Sequence, residues 1–183
     1  MSVLIDLSED HQLIHLAMDR LDELARAALA GQALDEAELD RLREFIEEFV
    51  LGTHHDKEGA LFDGLEGHGF RRQGGALGML AYEHEAFREA LGRVDRATAT
   101  ARIGDRWALA TWARQVDALV TLVRTHMAKE DEVLFPMARS RTPVEVLEGI
   151  GERVRELVAE RHSGVRERWS RALHEPGDGR EAQ

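Results

Sequence analysis

Two histidine and carboxylate pairs offer the clearest chemistry in this sequence. They are His54-x-x-x-Glu58 and His126-x-x-x-Glu130, and the spacing is the same in both. Four residues make about one turn of an α-helix, so each pair sets an imidazole beside a carboxylate on one helix face. Iron, manganese and zinc all accept these two ligand types. The repeated spacing therefore predicts a metal site, and the surrounding elements must bring the two pairs together.

The first of these elements is an amphipathic helix that contains His11 and His15. We predict that it starts near Ser8, or slightly earlier at Asp6, where the sequence resembles a capping box. Gly31 is its predicted end. A stripe at helical spacing predicts its buried face: Leu4, Leu7, His11, Ile14, Met18, Leu21 and Ala25.

A second helix carries the first histidine and carboxylate pair. Its predicted cap is Asp35, and the glycines that begin with Gly64 are predicted to end it. Its buried face keeps a regular spacing of four residues: Leu42, Ile46, Val50, His54, Glu58 and Phe62.

Two more helices carry His84 and the second pair. The third follows the Gly74-Gly75 loop, and its stripe is Leu77, Leu80, His84, Phe87 and Leu91. The fourth is capped by Asp105 and has the most regular seam: Leu109, Trp112, Val116, Leu119, Val123, His126, Glu130, Val133 and Met137. An alternating spacing of three and four residues is typical of helices in a bundle.

A fifth helix is predicted after Thr142-Pro143, with the threonine hydroxyl as its cap and Gly164 as a weak point. We expect a bundle domain over residues 1–140, an accessory helix over 141–175 and a disordered tail over 176–183. The accessory helix is expected either to cover the bundle or to form a homodimer or protein-partner contact through residues 143–174.

The polar residues in these stripes replace the aliphatic residues that would otherwise fill a core. Burial of an unpaired imidazole or carboxylate costs a few kcal/mol, so the stripes require a partner for them, and a metal supplies one. The alternative is a purely structural role, in which the bundle binds no metal and its core histidines are hydrogen-bonded. The candidate ligands are His11, His15, His54, Glu58, His84, His126 and Glu130.

Three positions near this set leave alternatives open. His15 lies one turn after His11, as a fifth imidazole ligand or as a hydrogen-bond partner of the ligands. His55 follows His54 directly, about 100° around an α-helix, which favours the outer face or a supporting contact over ligation. Asp131 competes with Glu130, although Glu130 keeps the seam.

Iron fits this donor set best. Zinc prefers about four ligands per ion, which is fewer than this set of candidate residues supplies. If two carboxylates and a solvent-derived oxygen bridge two irons, they supply four and two metal–ligand bonds. Five imidazoles supply five more, so that about eleven of the twelve octahedral positions of the two irons are filled. The remaining position, in an apolar pocket, suits O2, peroxide or NO.

Composition excludes several other classes of protein. The 183 residues contain no cysteine, which removes disulfides and thiolate sites, and the net charge of -11 opposes nucleic-acid binding. The first residues do not resemble a signal peptide, and no apolar run is long enough to span a membrane. We expect a cytoplasmic protein with no nucleic-acid or membrane partner.

The motifs resemble the hemerythrin-like, or HHE cation-binding, family over about residues 6 to 140. The stretches that carry the resemblance are Asp10-His11, the segment from His54 to Phe62, Tyr82-Glu83-His84-Glu85, and the segment from His126 to Pro136. The resemblance implies an all-α, up-down-up-down four-helix bundle with a non-haem di-iron centre. It also implies the role of each ligand. Two carboxylates, Glu58 and Glu130, would bridge the irons, and four histidines would be terminal ligands: His11, His54, His84 and His126.

The sequence departs from the oxygen-carrying members of that family in two places. They have a second histidine on the third helix, where this chain has Leu80, and a bridging aspartate five residues after the last histidine, where this chain has Glu130 at four. We expect His15 to substitute for the missing imidazole. The departures weigh against reversible oxygen carriage.

The expected function is therefore a di-iron protein that binds or reacts with O2, peroxide or NO, in sensing or in detoxification under oxidative stress. Catalase-like decomposition of peroxide is one form of it. The alternatives are an iron-dependent regulatory or interaction module without turnover, and reversible O2 binding or iron storage.

Overall fold

The computed structural model describes residues 2–103 and 105–174, and this part of the chain contains helices and no strand. The predicted disordered tail, residues 176–183, lies outside the described residues. The α-helices are α1 (Val3–Leu29), α2 (Glu36–Phe45), α3 (His55–Glu66), α4 (Ala76–Ala101), α5 (Arg106–Lys129), α6 (Phe135–Arg141), α7 (Val144–Arg161) and α8 (Val165–His174). Wider π-helical stretches, Ile46–His54 and Glu130–Leu134, join α2 to α3 and α5 to α6 without a break.

A polar layer divides the core of the bundle into two apolar clusters. The larger cluster includes Ile14, Val50, Phe87 and Val123, and the smaller one includes Leu7, Leu61, Leu80 and Leu134. Along α1 and α4 the chain passes from the smaller cluster to the larger one, and along α2–α3 and α5–α6 it passes in the opposite direction. This alternation is the up-down-up-down bundle that the resemblance implied, and the all-α prediction is confirmed.

The two π-helical stretches shift which residues face the core. The amide of His55 donates to Val50 O, and the amide of Phe135 donates to Glu130 O, five residues back in both cases. A π-helical turn holds more residues than the 3.6 of an α-helix, so every later side chain is displaced around the axis. The prediction that Val133 lies in the seam is wrong for this reason: it is 54% exposed, and Leu134 is buried in its place.

Most of the predicted helix boundaries hold, and two do not. The carboxylates of Asp35 and Asp105 accept from backbone amides three residues later, as predicted. Helix α1 starts at Val3, before the predicted start, because its first turn buries Val3 and Leu4 in the smaller cluster. Helix α7 starts after Pro143, and no side chain caps it, so the predicted threonine cap is wrong.

The predicted fifth helix is two helices that pack on the outside of the bundle. Gly164, the predicted weak point, has a φ of 73° and separates α7 from α8. Helix α7 lies against α1 and α3, and α8 lies against α1 and the first π-helical stretch. Their apolar residues, Ile150 and Trp169 among them, are therefore buried within the chain. None of the described helices is long and apolar enough to cross a membrane.

Candidate metal centre

The polar layer at the middle of the bundle collects side chains from all four bundle segments. Both carboxylates, Glu58 and Glu130, are 0% exposed. The layer contains six of the seven predicted ligands: His11 from α1, His54 and Glu58 from the α2–α3 segment, His84 from α4, and His126 and Glu130 from the α5–α6 segment.

Glu58 lies at the centre of this group. Its Oε1 is 2.9 Å from His54 Nε2, and its Oε2 is 2.9 Å from His84 Nε2. His126 Nε2 approaches the same carboxylate at 3.8 Å. Imidazoles from three helix segments therefore surround one carboxylate.

Glu130 lies opposite Glu58 in the layer. Its Oε2 is 3.2 Å from His11 Nε2 and 3.7 Å from His126 Nε2. The competing carboxylate, Asp131, points away from the layer and contacts His11 Nδ1 at 2.9 Å. The geometry therefore favours Glu130 over Asp131 as the inward carboxylate.

The inward atoms meet at ion-pair distances but without well-directed hydrogen bonds. The Nε2 atoms of the four layer histidines and both oxygens of each carboxylate are buried, and within the described part of the chain none has a hydrogen-bond partner of acceptable geometry. Buried polar atoms in proteins are almost always paired. Converging unpaired imidazole and carboxylate atoms fit a metal ion that all of them can bind. One ligand atom each from His11, His54, Glu58 and Glu130 can be chosen so that all lie within 4.8 Å of one another.

A second set of carboxylates holds the outer side of the histidines. Asp10 Oδ2 lies 3.4 Å from His54 Nδ1, Glu83 Oε2 lies 3.0 Å from His126 Nδ1, and Asp131 holds His11. A carboxylate that accepts from Nδ1–H fixes the ring and leaves Nε2 as the free donor atom. The outer carboxylates therefore orient three Nε2 atoms toward the centre.

Asp10 also belongs to a buried charge network that reaches the C-terminal helices. The Lys57 side chain is 3% exposed, and its Nζ lies 2.8 Å from both Asp10 and Asp6. Arg166, from α8, contacts Asp6 at 2.8 Å, Glu9 at 3.0 Å and Asp10 at 3.3 Å. A continuous chain of ion pairs thus connects α8 to His54.

The carboxylates change the protonation of the layer in the metal-free protein. Burial opposes the charged imidazole, but Glu58 and Asp10 outweigh it and raise the pKa of His54 to about 10. Burial likewise lowers the pKa of His126, but the neighbouring carboxylates of Glu58, Glu130 and Glu83 outweigh it and raise the pKa to about 9. Burial and the neighbouring Glu58 raise the pKa of Glu130 to about 7, whereas the histidines hold the pKa of Glu58 well below its usual range despite burial.

Two sequence interpretations change in the structure. His15 is exposed on α1 and lies outside the layer, so the structure does not bring it to the other predicted ligands. The outer-face interpretation of His55 is wrong, because this residue is buried and stacks on His84. His55 still lies roughly a quarter-turn around the helix from His54, but this flank of the segment faces His84 and Phe87 of α4 and not solvent.

The model of the hemerythrin HHE cation binding domain matches residues 3–138, and in a second, overlapping match residues 76–175. The chain belongs to this family. The first match contains every residue of the polar layer, and the buried cluster of imidazoles and carboxylates agrees with a cation-binding domain. No curated protein and no solved structure matches the chain.

This HHE domain has supporting residues that the sequence did not single out as functional. Asp10, Lys57 and Glu83 each pair with a residue on another helix, and spacing along one helix cannot report such a pair. For Lys57 a signal existed: it is a cation directly before a predicted ligand, on a helix that was expected to be buried.

The HHE domain also contains a small cavity beside the layer. Its volume is about 10 Å³, which is room for one water-sized molecule. Its polar lining consists of three layer residues, His54, His84 and His126, together with His55 and Glu83. The rest of its lining is apolar: Ile14, Val50, Phe87, Leu122, Val123 and Met127.

Proposed function

We propose that this HHE domain is a di-iron protein that binds or reacts with small oxidants, with O2, peroxide and NO as the candidates. The observation that carries the proposal is the buried layer in which four imidazole nitrogens and four carboxylate oxygens converge without well-directed hydrogen bonds. Buried carboxylates require positive charge beside them. Protonated histidines supply it in the metal-free protein, and two metal ions would supply it in the loaded protein. A cytoplasmic setting is part of the proposal.

The donor types support iron. The layer offers nitrogen and oxygen only, and the sequence contains no cysteine, so metals that require thiolate are disfavoured. Glu58 has imidazoles within reach of both of its oxygens, which suits a carboxylate shared by two ions. When bound, two irons supply redox-active coordination positions for a small oxidant.

The chain's own residues favour a small ligand over an organic substrate. The cavity beside His84 and His126 admits about one water-sized molecule, and its far wall is apolar. An apolar wall excludes bulk water and gives a neutral diatomic molecule no hydrogen bonds to displace. Glu83 holds the Nδ1 side of His126 and so fixes one edge of this cavity.

Metal analysis and peroxide turnover test the proposal together. We expect two irons per chain in protein purified and loaded under anaerobic conditions. Catalase-like activity predicts many turnovers of peroxide per chain, lost in both Glu58→Ala and His126→Ala and kept in the exposed control His15→Asn. No bound iron would overturn the proposal, and stoichiometric bleaching without turnover would leave binding or sensing as the function.

One observation favours a second candidate, an iron-dependent regulatory module. Arg166 on α8 is connected through Asp10 to His54, so occupancy of the layer and docking of α8 are physically linked. Iron would then stabilise the C-terminal helices, and iron loss would loosen them. A homodimer or protein contact through residues 143–174 remains a prediction, with the constraint that their apolar side is buried in the chain.

Hydrogen exchange measures this link directly. We expect amides of α7 and α8 to exchange faster in the metal-free protein, and Arg166→Met to give fast exchange with or without iron. Arg168→Met is the matched control, because Arg168 pairs with Glu48 at the surface and not with the layer network. Equal protection of α7 and α8 with and without iron would rule out the regulatory link.

A further inference from the structure

His55 occupies an unusual position beside the layer. It is the first residue of α3 and comes directly after the π-helical stretch. Its residue surface is only 9% exposed, and its ring lies parallel to that of His84, with centroids 3.9 Å apart and 7° between the planes. The edge of the ring meets Phe87, with centroids 5.8 Å apart. The ring is therefore held rigidly against a predicted ligand.

One nitrogen of this ring has no partner. His55 Nδ1 is buried and makes no hydrogen bond within the described residues. An unpaired buried nitrogen costs free energy, and a histidine that served only as a packing surface could be replaced by phenylalanine without that cost. The position therefore calls for a group that accepts the nitrogen lone pair.

A ring nitrogen of His55 lies within reach of a shared carboxylate. One ligand atom each from His55, Glu58 and His84 can be chosen so that all three lie within 4.8 Å of one another. A separate set with the same property contains His11, His54, Glu58 and Glu130. Glu58 belongs to both sets, so the two sets describe two adjacent ion positions with one carboxylate between them.

We propose that His55 is the fifth imidazole ligand and completes the ion position that Glu58 and His84 begin. This inference rests on the proposed di-iron function. The structure places His15, the fifth imidazole ligand expected from the sequence, at the surface. His55 restores the number of imidazoles from a different place in the fold. His55 directly follows the π-helical stretch and reaches the layer from the side of α4, where its ring stacks on His84.

A variant that keeps the stacking and removes the donor tests this role. His55→Phe retains an aromatic ring against His84 but has no nitrogen. Metal-free protein is titrated with ferrous iron under anaerobic conditions, and bound iron is counted by equilibrium dialysis. We expect two tightly bound ions in the wild type. In His55→Phe we expect one, with the affinity for the second reduced about 100-fold or more, since loss of even an outer partner of a ligand costs about 10–100-fold.

The controls separate this inference from the proposed function. His15→Phe, at the exposed histidine one turn after His11, should bind two ions like the wild type. Wild-type protein that binds no iron would overturn the proposed function itself. Two ions with unchanged affinity in His55→Phe would overturn only the role of His55 and show that its ring is a packing surface. Should His55→Phe fail to fold by circular dichroism, His55→Gln is titrated in its place and judged by the same two results.

Discussion

Metal loading of the layer should expel protons, and the number can be worked out from the structure. His54 has a pKa of about 10 and His126 a pKa of about 9, so both are protonated at pH 6. Glu130 has a pKa of about 7 and is about nine-tenths protonated at that pH. A metal ligand must bind through a lone pair, so these protons must leave. One proton from each of these histidines and about 0.9 from Glu130 make about three. Burial lowers the pKa of His11, but its contacts with Asp131 and Glu130 outweigh burial and raise the pKa above 6.5, so His11 adds most of a further proton at pH 6 and the release lies between about three and four per chain.

The same pKa values predict how this number changes with pH. At pH 8.5 Glu130 is already ionised and His126 is about three-quarters protonated, while His54 keeps nearly all of its proton. The expected release from these three groups is then about two protons per chain, and His11 contributes no more than it does at pH 6. Ionisation of solvent at the metal would give the opposite trend, because it increases with pH. The decrease between pH 6 and pH 8.5 therefore identifies protons that come from the protein.

Calorimetry in pairs of buffers measures this release. Anaerobic titrations with ferrous iron are compared in two buffers of different ionisation enthalpy at each pH, and the difference in heat gives the protons released. His15→Asn should give the wild-type numbers, because this exposed residue lies outside the layer. Release of less than one proton at pH 6 would refute the reasoning, since it would mean that the histidines beside Glu58 are neutral before the metal binds.

Three further predictions test the surroundings of the layer. Asp10→Asn removes the charge beside His54 Nδ1 and should weaken iron binding about 10–100-fold in competition with a chelator; unchanged affinity would separate Asp10 from the metal centre. Histidines with raised pKa values stabilise the fold fully below their ordinary value of 6.5, so the metal-free protein should lose thermal stability as the pH rises from there toward about 10, and a constant melting temperature would contradict this. In Gly64→Ala the new Cβ would lie 2.5 Å from Ile150, so the free energy of unfolding in urea should fall by about 1–3 kcal/mol. Gly149→Ala, with no described atom within 4 Å, should raise it by about 0.5–1 kcal/mol, and equal losses in both would count against the close packing of α3 on α7.

Spacing along single helices predicted most of the candidate site. His11, His54, Glu58, His84, His126 and Glu130 lie in the layer because each occupies a position in an apolar stripe where burial is imposed by its neighbours. A residue in such a stripe faces the core whatever the helix packs against. The stripe alone therefore sufficed for these six side chains and for the all-α bundle.

The winding of the helices was the information that spacing did not supply. The stripe of the second helix repeats every four residues from Leu42 to Phe62, and all six of its members are buried. On an α-helix each step of four drifts by about 40°, so a stripe of this length would turn by about 200° and leave the core. That mismatch was a signal of a wider turn. The position of His55 depends on contacts with His84 and Phe87 of another helix, which spacing along one helix cannot report. Outer partners such as Asp10 and Glu83 could not be predicted, because their pairs cross between helices.

The π-helical stretches also determine where these helices can lose a residue without losing the arrangement of the layer. Each one amounts to an additional residue accommodated within a helix, so a single deletion between residues 46 and 53 would leave a helix of ordinary winding. The half after that deletion would keep nearly the same orientation, because the residue removed is the additional one that the wider turn accommodates. The same deletion within α5, where the winding is ordinary, would rotate Glu130 by about 100° relative to the seam before it, and Glu130 would leave the layer although no ligand had been substituted. We infer that the π-helical stretches are the places where these helices tolerate the loss of one residue, whereas the same loss elsewhere disrupts the candidate metal centre in a single step.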